Sequence, residues 1–309
     1  MMCFNRIKRM YEFQNRIHDV FHGERVLKKI IQKYGERTTI CVSQHPAIGD
    51  AYLASLYLMT YYKNKQFIVT SISSGSIDIY HYFNIQSVEK LSQEETDHLI
   101  QYCQFMGITE EKVKILHHQA LKWHTGIAWY FHGVHQINFA DVFERMVFPN
   151  LSRHDRKYPL KKADEYKGYT KRIIRGYTIV LFPYANTLYT PENFFWKNVV
   201  KQIKKKGYYA VTYVFDKEKP IEGTDKITCG LDEVISLVEY AGTFIGVRNG
   251  IMDILSQAVC RKIVLYPQTG AESWIHGKII DFWSLRGFGY TESVEEYEWE
   301  DFEKGGFVI

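Results

Sequence analysis

The feature that most constrains this chain is a repeated alternation of short apolar runs with helical stretches. Thr38–Ser43, Phe67–Thr70 and Val113–Leu116 in the first half carry apolar or β-branched side chains at nearly every position, as do Tyr177–Phe182, Tyr209–Val214, Thr243–Val247 and Lys262–Tyr266 in the second. A strand wet on one face would alternate apolar with polar residues. Strands apolar throughout belong to a parallel sheet covered on both faces by helices. Helical stretches are expected between them at Ala51–Tyr62, Phe139–Phe148, Glu192–Lys206, Leu231–Ala241 and Gly250–Val259, with Gly207 placed as a stop. Residues 5–34 read as one or two amphipathic helices. Pro183 and Pro267 close their strands, because a ring nitrogen cannot donate to a central ladder.

A length of 309 residues exceeds the usual size of one core. The pattern also restarts at Tyr177, so the expected organisation is a first α/β domain over 1–150, with 1–37 a helical lead-in. A basic linker over 151–175 and a second α/β domain over 176–309 follow, with the tail at 274–304 crossing back toward the first. The fold class is α/β: two doubly wound, Rossmann-like parallel-sheet domains facing a cleft. A formal charge of +4 is too small to call for nucleic acid. The stretch 151–175 holds nine Lys/Arg against three Asp/Glu, which suits either an anionic membrane surface or a solvated linker. Five scattered cysteines, without metal or redox spacing, fit reduced thiols in a cytosolic protein. The first ten residues lack an apolar signal core, and no apolar stretch approaches the ~18 residues that would span a bilayer. The expectation is a cytoplasmic protein, with a peripheral place at the inner membrane face as its extension.

Ligands on such sheets bind beyond the carboxyl ends of the strands, where strand order reverses. The loops at 43–50, 183–191, 215–230, 247–250 and 267–273 are therefore where chemistry should sit. Gly49 and Asp50 lead into the helix after the first strand, where Asp50 is either a group projecting toward a ligand or a helix cap. Gly246-Val247-Arg248-Asn249-Gly250-Ile251-Met252-Asp253 is a strand, a turn and a helix start. Such a turn favours an anion, and Arg248 suits a diphosphate. The alternative makes Asn249 a cap and Arg248 half of an ion pair. Pro183-Tyr184-Ala185-Asn186-Thr187 can line a phosphate or acceptor pocket. His117, His118, His124, His132 and His135 come without an HExxH helix or a CxxC pair, so they read as solvated or core residues and no metal site is expected.

Gly230–Val238, Thr243–Gly250 and Lys262–Pro267 together resemble the donor domain of GT-B glycosyltransferases. The nearest pattern is the heptosyltransferase-like group, glycosyltransferase family 9, with its G-x-x-x-L-x-E-x-x-x-L helix and its IG-x-D-[ST]-G-x-x-H turn. Gly49-Asp50-Ala51-Tyr52-Leu53 is similar to the early Gly-Asp turn of that family. The resemblance covers roughly residues 38–70 and 177–270. It implies a metal-independent transferase of bacterial surface-glycan assembly (lipopolysaccharide, capsule or similar). The partners would be a nucleotide-sugar donor and a glycan or lipid-linked glycan acceptor, with no other cofactor. Asp50 would be the catalytic base and Gly49 and His45 would lie on the acceptor side. Arg248, Asn249, Gly250, Asp253, Asn186 and Lys197 would be donor contacts. The chain departs from the pattern at Arg248-Asn249, where the family has Asp and Ser/Thr, and at Asp253, where it has His. A non-catalytic GT-B-like binding protein and an epimerase-like enzyme are the alternatives.

Overall fold

The computed structural model describes residues 2–117, 137–159, 173–186, 188, 190–215, 217–267, 278–288 and 294–304. They form two compact units. One holds the described residues up to His117 together with His154–Tyr158, and the other holds 137–153 and those from Pro159 onward.

In the first unit the order is α1 (Met2–Tyr34), β1 (Thr39–Ser43), α2 (Ile48–Tyr61), β2 (Phe67–Ser71), α3 (Ser74–Tyr82), β3 (Val88–Lys90), α4 (Gln93–Met106) and β4 (Val113–Ile115). The strands make one parallel sheet in the order β3-β2-β1-β4. Ile40 and Val42 share a buried cluster with Val26, Leu27 and Ile30 of α1 and Leu99, Ile100 and Cys103 of α4. Each such side chain contributes about 1.5–3 kcal/mol by leaving water. A capping box fixes the start of α4, with the Ser92 hydroxyl accepting from Glu95 N and the Glu95 carboxylate accepting from Ser92 N. Gly107 ends that helix at φ 64°, a left-handed conformation that suits glycine.

Every residue of α2 from Ala51 to Leu58 is buried, and a helix apolar all round must be covered all round. The returning segment His154–Tyr158 supplies part of that cover. Lys157 N donates to Leu56 O at 2.7 Å, Thr60 Oγ1 to Asp155 O at 2.8 Å, and buried Arg156 to the Tyr57 hydroxyl.

The second unit holds α5 (Phe139–Val147), β5 (Thr178–Phe182), α6 (Asn193–Lys205), β6 (Tyr209–Tyr213), β7 (Asp225–Ile227), α7 (Leu231–Ala241), β8 (Gly242–Val247) and α8 (Gly250–Leu255). It continues with β9 (Arg261–Tyr266), α9 (Ile279–Phe282), a 3-10 turn at Leu285–Phe288, β10 (Val294–Glu298) and α10 (Trp299–Lys304). The six strands are parallel, in the order β10-β9-β8-β5-β6-β7. Ile179, Leu181, Ile245, Val247, Ile263 and Leu265 meet Phe195, Trp196, Val199 and Ile203 of α6 in the core.

The units divide the chain differently from the expected boundary at 150. Helix α5 belongs with the second unit, because the Asn138 amide donates to Ser284 O at 3.0 Å and the Phe139 ring lies 5.5 Å from that of Phe282. The described part of the C-terminal segment likewise stays in the second unit rather than crossing back. β10 pairs with β9, and Phe302 joins the core cluster. The acidic run that disguises β10 is neutralised in part by Arg261, whose guanidinium meets both Glu295 oxygens at 2.6 and 3.0 Å.

Both sheets reverse direction once. In the first unit the chain builds outward from β1 through β2 to β3 and then places β4 on the other side of β1. In the second it builds from β5 through β6 to β7 and then places β8 on the other side of β5. The β1/β4 and β5/β8 edges are thus the topological switch points. At the second of these, Gly246 permits a close approach. A β-carbon there would lie 2.5 Å from Met252 Cε and 2.9 Å from Phe182 Cβ. Gly246→Ala should cost about 1–3 kcal/mol through overpacking. Urea denaturation should show this as a lower midpoint with an unchanged slope.

Candidate functional site

At the first switch point, α2 starts three residues earlier than the sequence suggests, so Gly49 and Asp50 are its second and third residues. Its N-cap is Ala47, with no side-chain capping bond, and Asp50 is therefore not the cap. The carboxylate sits in the first turn, where the helix dipole favours it by about 0.3–1 kcal/mol. Asp50 Oδ2 lies 4.0 Å from Nε2 of His117, the second residue after β4. His117 is 5% exposed at its side chain and Asp50 20%, so the imidazole is interior and the carboxylate reaches solvent. The His45 ring, on the loop after β1, lies tilted against that of His117, with centroids 3.9 Å apart. Burial pushes the His45 imidazole below its ordinary value, against a weaker pull from Asp97, which keeps it neutral at pH 7. The loop carrying His45 is held by Ser73 and Ser76, whose hydroxyls both donate to Pro46 O at 3.1 and 3.2 Å.

The structure thus brings Gly49, Asp50 and His45 together with His117, which the sequence reading left among the core or solvated histidines. Its position at the end of the expected strand 113–116 was the available signal. What that signal lacked was the knowledge that this strand lies beside β1. His118, His124, His132 and His135 fall outside the described residues. A partly exposed carboxylate beside a buried imidazole can take up a proton from a hydroxyl placed against it.

At the second switch point, Asn249 ties the β8 turn to the β5 loop. Its Oδ1 accepts from Ile251 N and Met252 N at 3.0 and 3.3 Å, capping α8, and its Nδ2 donates to Tyr184 O at 2.6 Å. Arg248 departs from the expected ligand contact. Its Nη2 lies 2.5 Å from Asp253 Oδ1, with the two side chains 7% and 4% exposed. Its Nε donates to Trp283 O at 2.9 Å, and the guanidinium lies over the Phe288 ring. Both ends of the pair are interior, so neither side chain is presented to a diphosphate, and the ion-pair alternative describes their geometry. Burial pushes the Asp253 carboxyl up to about 6 against the opposing pull of Arg248.

The turn that receives Arg248 is itself anchored by Glu296 of β10. Glu296 accepts from the Tyr266 hydroxyl at 2.6 Å, the Ser284 hydroxyl at 2.6 Å and Leu285 N at 2.8 Å. Asn186 is exposed in the loop after β5. Lys197, in the second turn of α6, pairs with Glu222 at 2.5 Å, both well exposed. Such a pair is worth about 0–1 kcal/mol and exchanges readily. Thr187 lies outside the described residues. Among the described residues, no three His, Cys, Asp or Glu side chains are grouped to hold a metal ion.

No protein-family model matches the sequence, and no curated protein does. Solved structures do match. The E. coli ADP-heptose lipopolysaccharide heptosyltransferase II aligns at a TM-score of 0.51 and 13% identity, covering 84% of this chain and 90% of that one. A family 9 glycosyltransferase from Veillonella parvula aligns at 0.51 and 12%, covering 88% and 90%. The fold is of the GT-B kind. The dodecameric iron-containing glycosyltransferase TibC from enterotoxigenic E. coli also matches, at 0.48 and 12% identity. This chain covers 61% of the length of TibC. At such identities the likeness fixes the fold, and the chemistry has to be argued from the residues.

The buried pair makes a direct prediction. Arg248→Met strands the Asp253 carboxylate and should lower stability by about 3–5 kcal/mol. The double variant Arg248→Met/Asp253→Leu should recover most of that loss in a denaturation double-mutant cycle, whereas an additive result would show the two residues acting independently.

Proposed function

We propose that this chain is a glycosyltransferase moving a sugar from a nucleotide-sugar donor to a hydroxyl of a surface-glycan acceptor. The observation that carries this reading is Asp50. Its carboxylate is partly open, belongs to the first turn of α2 rather than to its N-cap, and stands beside buried His117 at the switch point where a parallel sheet binds its ligands. In the transfer, the acceptor oxygen forms its bond to the anomeric carbon as its proton passes to Asp50. The bond from that carbon to the diphosphate oxygen breaks, and the nucleoside diphosphate leaves with the electron pair. General-base help of this kind is worth about 10²–10⁴ in rate. His117 acts as a positioning residue behind the carboxylate, and His45 and Gly49 border the acceptor.

The donor is assigned to the second unit, at the β5/β8 edge. Asn186 and the backbone at Gly250 are the proposed contacts, with Lys197 exchanging Glu222 for the diphosphate. Arg248, Asn249 and Asp253 shape this turn from beneath. The ADP-heptose named for the E. coli structure belongs to the same donor class, which supports the reading. The acceptor is a lipopolysaccharide, capsule or lipid-linked glycan, and the basic stretch 151–175 is assigned to the anionic surface that carries it. Residues 160–172 of that stretch lie outside the described residues. No helix among the described residues is long and apolar enough to cross a membrane.

The burial of Arg248 favours one rival, a non-catalytic chain that keeps the fold and binds a glycan or partner. Thermal shift with a panel of nucleoside diphosphates separates the two, because a donor pocket is stabilised by about 2.7 kcal/mol at a hundredfold excess over Kd. An unmoved melting temperature across the panel favours the rival.

Asp50→Asn should cost no more than about 1 kcal/mol of stability and leave the diphosphate affinity unchanged, while kcat for transfer falls about 10²-fold or more. Transfer at the wild-type rate would remove Asp50 from the mechanism. Transfer is also expected to persist in excess EDTA. Loss on chelation, restored by magnesium or manganese, would assign the leaving diphosphate to a metal instead.

A further inference from the structure

Away from both switch points, α1 and α4 approach closely at Gly23. A β-carbon there would lie 2.1 Å from the His98 carbonyl oxygen and 2.5 Å from Tyr102 Cβ. This approach gathers three imidazoles. His18 and His22 stand one turn apart on α1, with ring centroids 4.2 Å apart, and the His98 ring of α4 lies 5.4 Å from that of His22. The His18 and His22 Nε2 atoms are 3.1 Å apart and share a hydrogen bond, one ring donating to the other, which a metal ion would replace. Two nitrogens at that separation can both reach a metal ion at the usual ~2.0–2.1 Å. The spacing i, i+4 is the one by which a helix offers two imidazoles on a single face.

Asp19 completes the arrangement. Its Oδ1 lies 3.2 Å from His98 Nε2 and 3.8 Å from His18 Nδ1. The carboxylate thus lies beside both imidazoles, nearer to His98 than to His18.

We propose that His18 and His22 form a two-imidazole chelate for a divalent transition-metal ion of the zinc or nickel class, with its remaining positions open to water. Asp19 and His98 form the carboxylate–imidazole pair that borders it. With two protein ligands the site is exchangeable, and it shares no residue with the proposed transfer chemistry.

The test is calorimetric titration of the full-length, tag-free protein with nickel chloride and, separately, zinc chloride at pH 7.5. Wild type should bind one equivalent saturably at this site. His18→Ala and His22→Ala should each weaken that binding at least tenfold, and the double variant should abolish it. Alanine is the better helix former at both positions, so the variants keep α1, which far-UV circular dichroism confirms. Absence of binding by wild type overturns the proposal. So does binding that survives in the double variant, which would assign the metal to other histidines such as those at 117–135.

Discussion

A parallel strand cannot turn directly into its neighbour. It must cross back through a long connection, most often a helix, so the loops that follow the strands of a unit emerge on the same edge of its sheet. That constraint places both switch points. Because β1 has β2 on one side and β4 on the other, the loops that leave β1 and β4 stand next to each other at the carboxyl edge. Asp50, His45 and His117 are neighbours for this reason, although His117 lies 67 residues from Asp50 in the chain. The same arrangement of β6 and β8 about β5 lets the Asn249 amide reach the Tyr184 carbonyl.

The second edge shows how a departure from a family pattern can be structural. The heptosyltransferase-like turn carries an acidic residue where this chain has Arg248, and a histidine where it has Asp253. These two departures are partners in one buried ion pair. Either alone would leave a charge in the interior, at a cost of several kcal/mol. Together, with Trp283 O accepting from the guanidinium and Glu296 fixing the turn that bears Trp283, they hold the loop by a different set of bonds. This is why a motif match there predicts the fold better than it predicts the ligand contacts.

The central strands were legible because burial on both faces leaves an apolar signature at consecutive positions. β3, β7 and β10 were missed for the opposite reason: they are edge strands, short or charged, as edges must be to resist further pairing. Helix α4 has a start written in Ser92 and Glu95 and a stop written in Gly107, signals that are local and independent of the strand pattern. At the candidate site, Asp50 followed from a local strand-to-helix pattern. Its partner His117 did not, because that contact depends on which strand lies beside β1. Arg248 illustrates a third case. Its residue type suits a phosphate and an ion pair equally, and only its burial decides between them.

The most direct test of the account is a crystal structure determined after soaking with a nucleoside diphosphate. The account predicts pyrophosphate density at the carboxyl edge of β5 and β8, against Asn186 and the Gly250 backbone, with the Arg248–Asp253 pair intact beneath it. Density at another edge of either sheet, or a guanidinium swung out of its pair to bind the phosphates, would contradict it.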